Sequence, residues 1–239
     1  SVIISILVVL APLPEKQRIY LCRFWAWGLL KIFGITLNVD GALYKNKHRP
    51  VIILSNHFGL AEILAIFQLY NVRFVAKAEM GAWGPFGWAM KRTGQILINR
   101  QRKDVGNHID AVSSALEQRK NVAIFPEGTS SDATLLLPFK SALLRSLNKD
   151  NFTVPATIQP LVITYTKVSG KKATPEQRRM GSWGTEPIQE FLIEMASLPS
   201  AELTVKVLPS IDIDRPIDAR ALINEIQPDM NQEWAKLIK

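Results

Sequence analysis

A histidine and a carboxylate five positions apart, His57 and Glu62, stand directly behind the apolar run Val51-Ile52-Ile53-Leu54 in the stretch Ser55-Asn56-His57-Phe58-Gly59-Leu60-Ala61-Glu62. A strand that ends on an imidazole, with an acid in reach to orient it, can take the proton from a hydroxyl and turn that hydroxyl into a nucleophile. Taken alone, the pair also fits a loop histidine beside a solvated helix carboxylate. Its meaning depends on what else the chain brings near it.

Two further segments carry possible chemistry. Gly94-Gln95-Ile96-Leu97-Ile98-Asn99-Arg100-Gln101-Arg102-Lys103 reads as a strand that delivers three cations at its end. Arginine holds phosphate through two parallel hydrogen bonds, so this is a candidate anion clamp, or else a solvated basic loop. In Val122-Ala123-Ile124-Phe125-Pro126-Glu127-Gly128-Thr129-Ser130-Ser131 a buried strand runs into a Pro-Glu-Gly turn and three hydroxyls. Gly128 would let backbone N–H groups approach a ligand oxygen closely, while Glu127 could bind a substrate hydroxyl or hold a cationic side chain. A plain β-turn with a surface Glu is the alternative. A third segment, Val154 to Pro160, is framed by Pro155 and Pro160 and reads as a rigid connection into a strand.

The elements that must position these residues follow from periodicity. Val51 to Leu54, Val72 to Ala76, Gln95 to Ile98, Val122 to Phe125, Leu161 to Tyr165 and Leu203 to Leu208 read as strands, and Ala61 to Tyr70 and Val105 to Arg119 as helices. Strands alternating with helices argue for an α/β domain with a mixed, largely parallel sheet flanked by helices. The tail from Asp218 to Lys239 reads as helical, interrupted at Pro228.

Composition narrows the partners. In 239 residues, 29 Lys and Arg against 21 Asp and Glu give a formal charge of +8, which suits nucleic acid or a phospholipid surface. No nucleic-acid module or aromatic-laced basic stripe is recognisable, so nucleic acid is not expected. The single Cys22 excludes an internal disulfide framework. The first thirteen residues carry no charge, yet fall short of the ~20 needed to span a bilayer. Ile19 to Ile35 then carries Trp25, Trp27, Leu29, Leu30 and Phe33 beside Arg23 and Lys31. Such a stretch can bury one face among acyl chains while its cations meet phosphates. The expected division is a membrane-associated helical segment at 1–38 and an α/β domain with a helical tail at 39–239. Positive charge after the apolar segment places that domain on the cytoplasmic side.

In this order, His57-x4-Glu62, Gly94 to Arg100, Phe125-Pro126-Glu127-Gly128-Thr129 and Val154 to Pro160 resemble the four blocks of the glycerolipid acyltransferase family, particularly bacterial 1-acylglycerol-3-phosphate acyltransferases of the PlsC type. Phe74-Val75-Ala76-Lys77, Gly84-Pro85-Phe86-Gly87-Trp88 and Pro138-Phe139-Lys140 extend the likeness across roughly residues 15 to 165. The resemblance implies an N-terminal membrane-docking motif at the cytoplasmic (inner) membrane and an α/β catalytic domain on its cytoplasmic face. It implies transfer of a fatty acyl group from acyl-CoA or acyl-carrier protein to the sn-2 hydroxyl of lysophosphatidate, giving phosphatidate, with no metal, no cofactor and no covalent acyl-enzyme. His57 takes the role of general base and Glu62 that of the acid that orients it. Arg100 falls where the family binds the acceptor phosphate, Glu127 and Gly128 where it helps bind the acceptor, and Thr129 and Lys140 are grouped with these substrate-binding residues.

The sequence departs from the family pattern in two places. The first block usually ends in Asp, and Glu62 adds a methylene that moves the carboxylate by roughly 1.5 Å. Ser141-Ala142-Leu143 replaces a small, glycine-containing continuation after Lys140. The chemistry is coherent on its own terms, because a neutral imidazole can take the proton of an attacking alcohol and no serine nucleophile is needed. Alternative acceptors are another lysolipid such as lyso-ornithine lipid, and the rival class is a non-catalytic membrane-binding relative.

Overall fold

The computed structural model describes residues 14–44, 48–99, 105–148, 151–184 and 187–239. Within them nine strands form one sheet: β1 (Ile35–Asp40), β2 (Val51–Ser55), β3 (Val72–Lys77), β4 (Ile96–Ile98), β5 (Asn121–Ile124), β6 (Ala156–Val168), β7 (Lys171–Lys172), β8 (Ala201–Val207) and β9 (Ile211–Ile213). The main path runs β1-β8-β6-β2-β5-β3-β4, with β7 and β9 paired to β6. β2 lies parallel to both β5 and β6, and β3 parallel to both β5 and β4. β8, β7 and β9 run antiparallel to β6. The sheet is therefore mixed, and its parallel part holds the segments singled out above.

Alternation along the strands builds a layer on each face. On β2, Val51 and Ile53 join one apolar layer while Ile52 and Leu54 join the other. The first layer is covered by α1 (Glu15–Ile32) and α2 (Ala61–Leu69), the second by α4 (Val105–Glu117) and α7 (Ala219–Ile238). The remaining helices are α3 (Gly84–Arg92), α5 (Pro175–Met180) and α6 (Ile188–Ser197).

Several expectations need correction. The amphipathic N-terminal helix ends at Ile32, and Ile35 opens β1, whose pairing with β8 carries it through the boundary expected after residue 38. The helix stops because Gly34, at φ +66°, takes a left-handed conformation that any side chain would strain. The proline-framed segment is not a connection: β6 begins at Ala156, and Pro160 lies inside it, in register with Leu54. Its carbonyl accepts the Leu208 amide, and the strand continues through it although the missing N–H removes one donor from the ladder. The tail forms one helix that runs through Pro228 rather than breaking there.

α1 is apolar on two faces. Cys22, Ala26 and Leu30, at helical spacing, are buried in the first layer, while Tyr20, Phe24 and Trp27 stay 62%, 54% and 45% exposed. Residues 1–13, and with them the uncharged segment, lie outside the described residues. No helix among the described residues is long and apolar enough to cross a membrane.

Candidate active site

Parallel pairing sets the C-terminal ends of β2, β5, β3 and β4 along one edge of the sheet, where ligand sites of open α/β sheets form. His57 follows β2 by two residues and Glu127 follows β5 by three. The sheet thus unites two segments seventy residues apart in the chain.

The turn after β2 is held from several sides. Asn56, fully buried, bonds both backbone groups of Ile163 on β6, its Nδ2 donating to the carbonyl at 2.9 Å and its Oδ1 accepting from the amide at 2.8 Å. The Ser131 amide donates to the His57 carbonyl at 2.8 Å, and the Trp183 amide to the Phe58 carbonyl at 2.6 Å. The His57 ring stacks on Phe125, with centroids 4.2 Å apart and planes 12° from parallel. Phe125 stacks in turn on Phe74, so the imidazole plane is set by a buried aromatic column.

Glu62, in the first turn of α2, is 0% exposed. Its Oε1 lies 2.7 Å from His57 Nδ1 and accepts from the amides of Phe58 at 2.9 Å and Gly59 at 2.7 Å. An oxygen that already accepts two amide protons is an acceptor toward the ring as well, which makes Nδ1 the protonated nitrogen and leaves Nε2 as the base. The His57 side chain is 24% exposed, so a substrate can reach it. Gly59 leaves little room here: a Cβ would stand 3.0 Å from the Gly181 carbonyl oxygen and 3.2 Å from the Trp183 amide nitrogen, so a side chain would push on both.

Glu127 is 1% exposed, and neither carboxylate oxygen makes a hydrogen bond of ordinary geometry. Burial pushes its pKa up to about 8; nearby backbone groups of His57 and Leu137 pull it down in part, and the Glu62 charge adds to the rise. Near neutrality this carboxyl is mostly protonated and can donate as well as accept. Gly128, at φ +70°, turns the chain beside the Lys140 side chain, whose Nζ would lie 3.4 Å from a Cβ placed there. Thr129 and Lys140 are exposed. Arg100 lies outside the described residues; β4, parallel to β3, ends two positions before it at Ile98.

The geometry thus brings His57 and Glu62 into one hydrogen-bonded unit, with Glu127 coming off the neighbouring strand. Sequence reasoning did not select Asn56, Phe125 or the Ser131 and Trp183 amides. Asn56 carried a signal, as an amide side chain between a buried strand and the histidine. The two backbone donors carried none.

Comparison with known proteins places this arrangement. The family model "Acyltransferase" matches residues 36–164, more than half of the chain. A lyso-ornithine lipid O-acyltransferase of Rhizobium meliloti is 28% identical over 208 residues, covering 85% of this chain and 70% of its own. A 1-acyl-sn-glycerol-3-phosphate acyltransferase of Neisseria meningitidis serogroup B is 32% identical over 156 residues, covering 64% of this chain and 59% of its own. The crystal structure of a 1-acyl-sn-glycerophosphate (LPA) acyltransferase, PlsC, from Thermotoga maritima shares the fold, with a TM-score of 0.67 at 16% identity over 98% of this chain and 87% of that one.

Proposed function

The chain belongs to the acyltransferase family of PlsC-type glycerolipid enzymes, and on that premise we propose that it moves a fatty acyl group from a thioester donor, acyl-CoA or acyl-carrier protein, to the free hydroxyl of a lysolipid. The observation that carries this reading is the 2.7 Å contact between the buried Glu62 carboxylate and Nδ1 of the accessible His57 ring. With Nδ1–H held, Nε2 accepts the acceptor's hydroxyl proton as the oxygen attacks the thioester carbonyl carbon. A C–O bond forms, the C–S bond breaks, and the proton passes from Nε2 to the leaving thiolate. Glu62 stabilises the imidazolium in between, as the acid does in a hydrolase triad.

Arg100, Glu127, Gly128, Thr129 and Lys140 are assigned to the acceptor side of the site. Glu127, in its protonated form, supplies a donor in a dry position three residues past β5. The aromatic face of α1 is assigned to docking on a lipid surface, with the catalytic domain at the cytoplasmic face of the inner membrane. Lysophosphatidate is one acceptor that fits. Lyso-ornithine lipid is the second, favoured by the names of three relatives that are 25–28% identical over 69–85% of this chain.

The test is lysolipid-dependent release of free thiol by the purified protein. His57→Ala is expected to lower it at least 10³-fold while thermal stability and vesicle binding persist. Near-normal turnover by that variant would overturn the mechanism.

A further inference from the structure

Beside the catalytic turn lies an open cavity of about 390 Å³ lined by Ser130, Ser131, Asp132, Arg179, Ser182 and Glu194. Its two walls are fastened to consecutive residues of that turn, since the Ser131 amide binds the His57 carbonyl and the Trp183 amide binds the Phe58 carbonyl. The cavity is therefore braced against the backbone of the catalytic turn. From a chain of net charge +8 one expects a basic lining, yet the charged side chains that line it are one cation and two carboxylates.

The cation is already partly committed. Arg179 Nε donates to Asp132 Oδ2 at 3.3 Å, and Asp132 is further held by the Thr134 hydroxyl at 2.5 Å and amide at 3.0 Å. A phosphate monoester, with a charge of about −1.5 to −2, would bring its acceptor-only oxygens against Asp132 and Glu194, which have no proton to give it. An ammonium suits those carboxylates, having three donors and no acceptor. A carboxylate suits the serine hydroxyls and the rest of the Arg179 fork.

We infer that this cavity is the head-group subsite for the acceptor and that it selects a zwitterionic head group, an amide-linked amino acid with a free carboxylate and a free ammonium, over a phosphate monoester. The inference rests on the acyl-transfer reading for the identity of the reacting hydroxyl, but the charge complementarity stands independently of turnover. Lyso-ornithine lipid has this chemistry, because an ornithine bound as an amide through its α-nitrogen keeps one carboxylate and one side-chain ammonium.

Equilibrium binding of lyso-ornithine lipid and of lysophosphatidate, each presented in the same uncharged detergent micelles, tests the subsite without a donor. The full chain is expected to bind the ornithine lipid at least about tenfold more tightly. Asp132→Asn and Glu194→Gln should each narrow that preference about fivefold, the scale of a half-exposed ion pair. Glu194→Gln serves as the second variant because Asp132 also anchors the turn at Thr134. Equal or reversed preference in the unmodified chain, or an unchanged preference in both variants, overturns the inference. Thiol release with a thioester donor is followed in parallel. The expected binding pattern without thiol release refutes the acyl-transfer reading and leaves the subsite standing, whereas thiol release with reversed preference refutes the subsite alone.

Discussion

Glu62→Gln isolates the contribution of charge at the centre of the site. The substitution keeps the side-chain length, and its carbonyl oxygen can still accept from the Phe58 and Gly59 amides and from His57 Nδ1, as Glu62 Oε1 does now. What disappears is the negative charge that faces the imidazolium as the proton is transferred. With charge centres about 4 Å apart and an effective dielectric near 20, that interaction is worth about 4 kcal/mol. At about 1.4 kcal/mol per decade, turnover falls about 10³-fold. The corresponding exchange in a serine-protease triad costs about 10⁴. Stability should change little: a buried charge is removed, while the new NH₂ group replaces Oε2, an atom that is buried without a partner. The assay is lysolipid-dependent thiol release at saturating acceptor, with the melting temperature as the control for folding. His57→Ala combined with Glu62→Gln should be no slower than His57→Ala alone, because the acid acts only through the imidazole. Turnover of the Gln variant within tenfold of the unmodified chain, or losses that add in the double variant, would refute the reasoning.

Glu127→Gln tests the buried carboxyl through pH. Burial raises its pKa to about 8 in the fold, against 4.5 for the free group. Between those values the folded state keeps a proton that the unfolded chain releases, so stability falls as pH rises from about 4.5 to about 8 and then levels off. Gln removes that slope, and its melting temperature should exceed that of the unmodified chain by more at pH 8 than at pH 5; parallel curves would reject it. Gly181→Ala should destabilise the fold by about 3 kcal/mol, because its Cβ would overlap the Tyr165 ring at Cε2 and stand 2.8 Å from Cζ. Denaturant melts check this, and Tyr165→Leu in the same chain should recover part of the loss. Replacing Phe24 and Trp27 together by Ser should weaken partitioning to anionic vesicles about 100-fold without lowering the melting temperature, since both rings are about half exposed. Vesicle sedimentation measures it, and unchanged partitioning would remove α1 from the docking surface.

The parallel half of the sheet was legible because its strands are short apolar runs closed by polar or glycine-rich turns, as at Val51 to Ser55 and Asn121 to Ile124. β1 was hidden because Ile35 to Asp40 follows a helical pattern, and one glycine, Gly34, separates the two. α3 was hidden for the opposite reason: Gly84, Pro85 and Gly87 argue against a helix. In the fold Pro85 sits in its first turn, where a missing N–H costs nothing, and Gly87 lets the helix lie on Gly81, whose carbonyl carbon is 2.5 Å from where a Cβ would be. The cavity beside the site could not be read at all. Its walls join Asp132 to Arg179, 47 residues away on the six-residue α5, and to Glu194 on α6, and the amphipathic pattern of α6 says that it packs but not beside which loop.

Glu62 shows where a sequence-level concern becomes a structural explanation. One methylene beyond Asp looked like a displacement of the orienting oxygen. The fold uses that length. α2 begins without a side-chain cap at Leu60, so the turn before it has amides that need an acceptor. From the second residue of the helix, Glu62 reaches back to the amides of Phe58 and Gly59 and to the ring of His57 with a single oxygen. The same bonds that fix the turn therefore fix the imidazole, and the neighbouring helix N-terminus favours a carboxylate in that place. An Asp at this position would meet the three donors only if the turn moved toward the helix. That move is opposed by the bonds from Asn56, Ser131 and Trp183 that hold residues 56–58. Glu62→Asp should accordingly cost turnover here, although Asp is the residue that the family pattern leads one to expect.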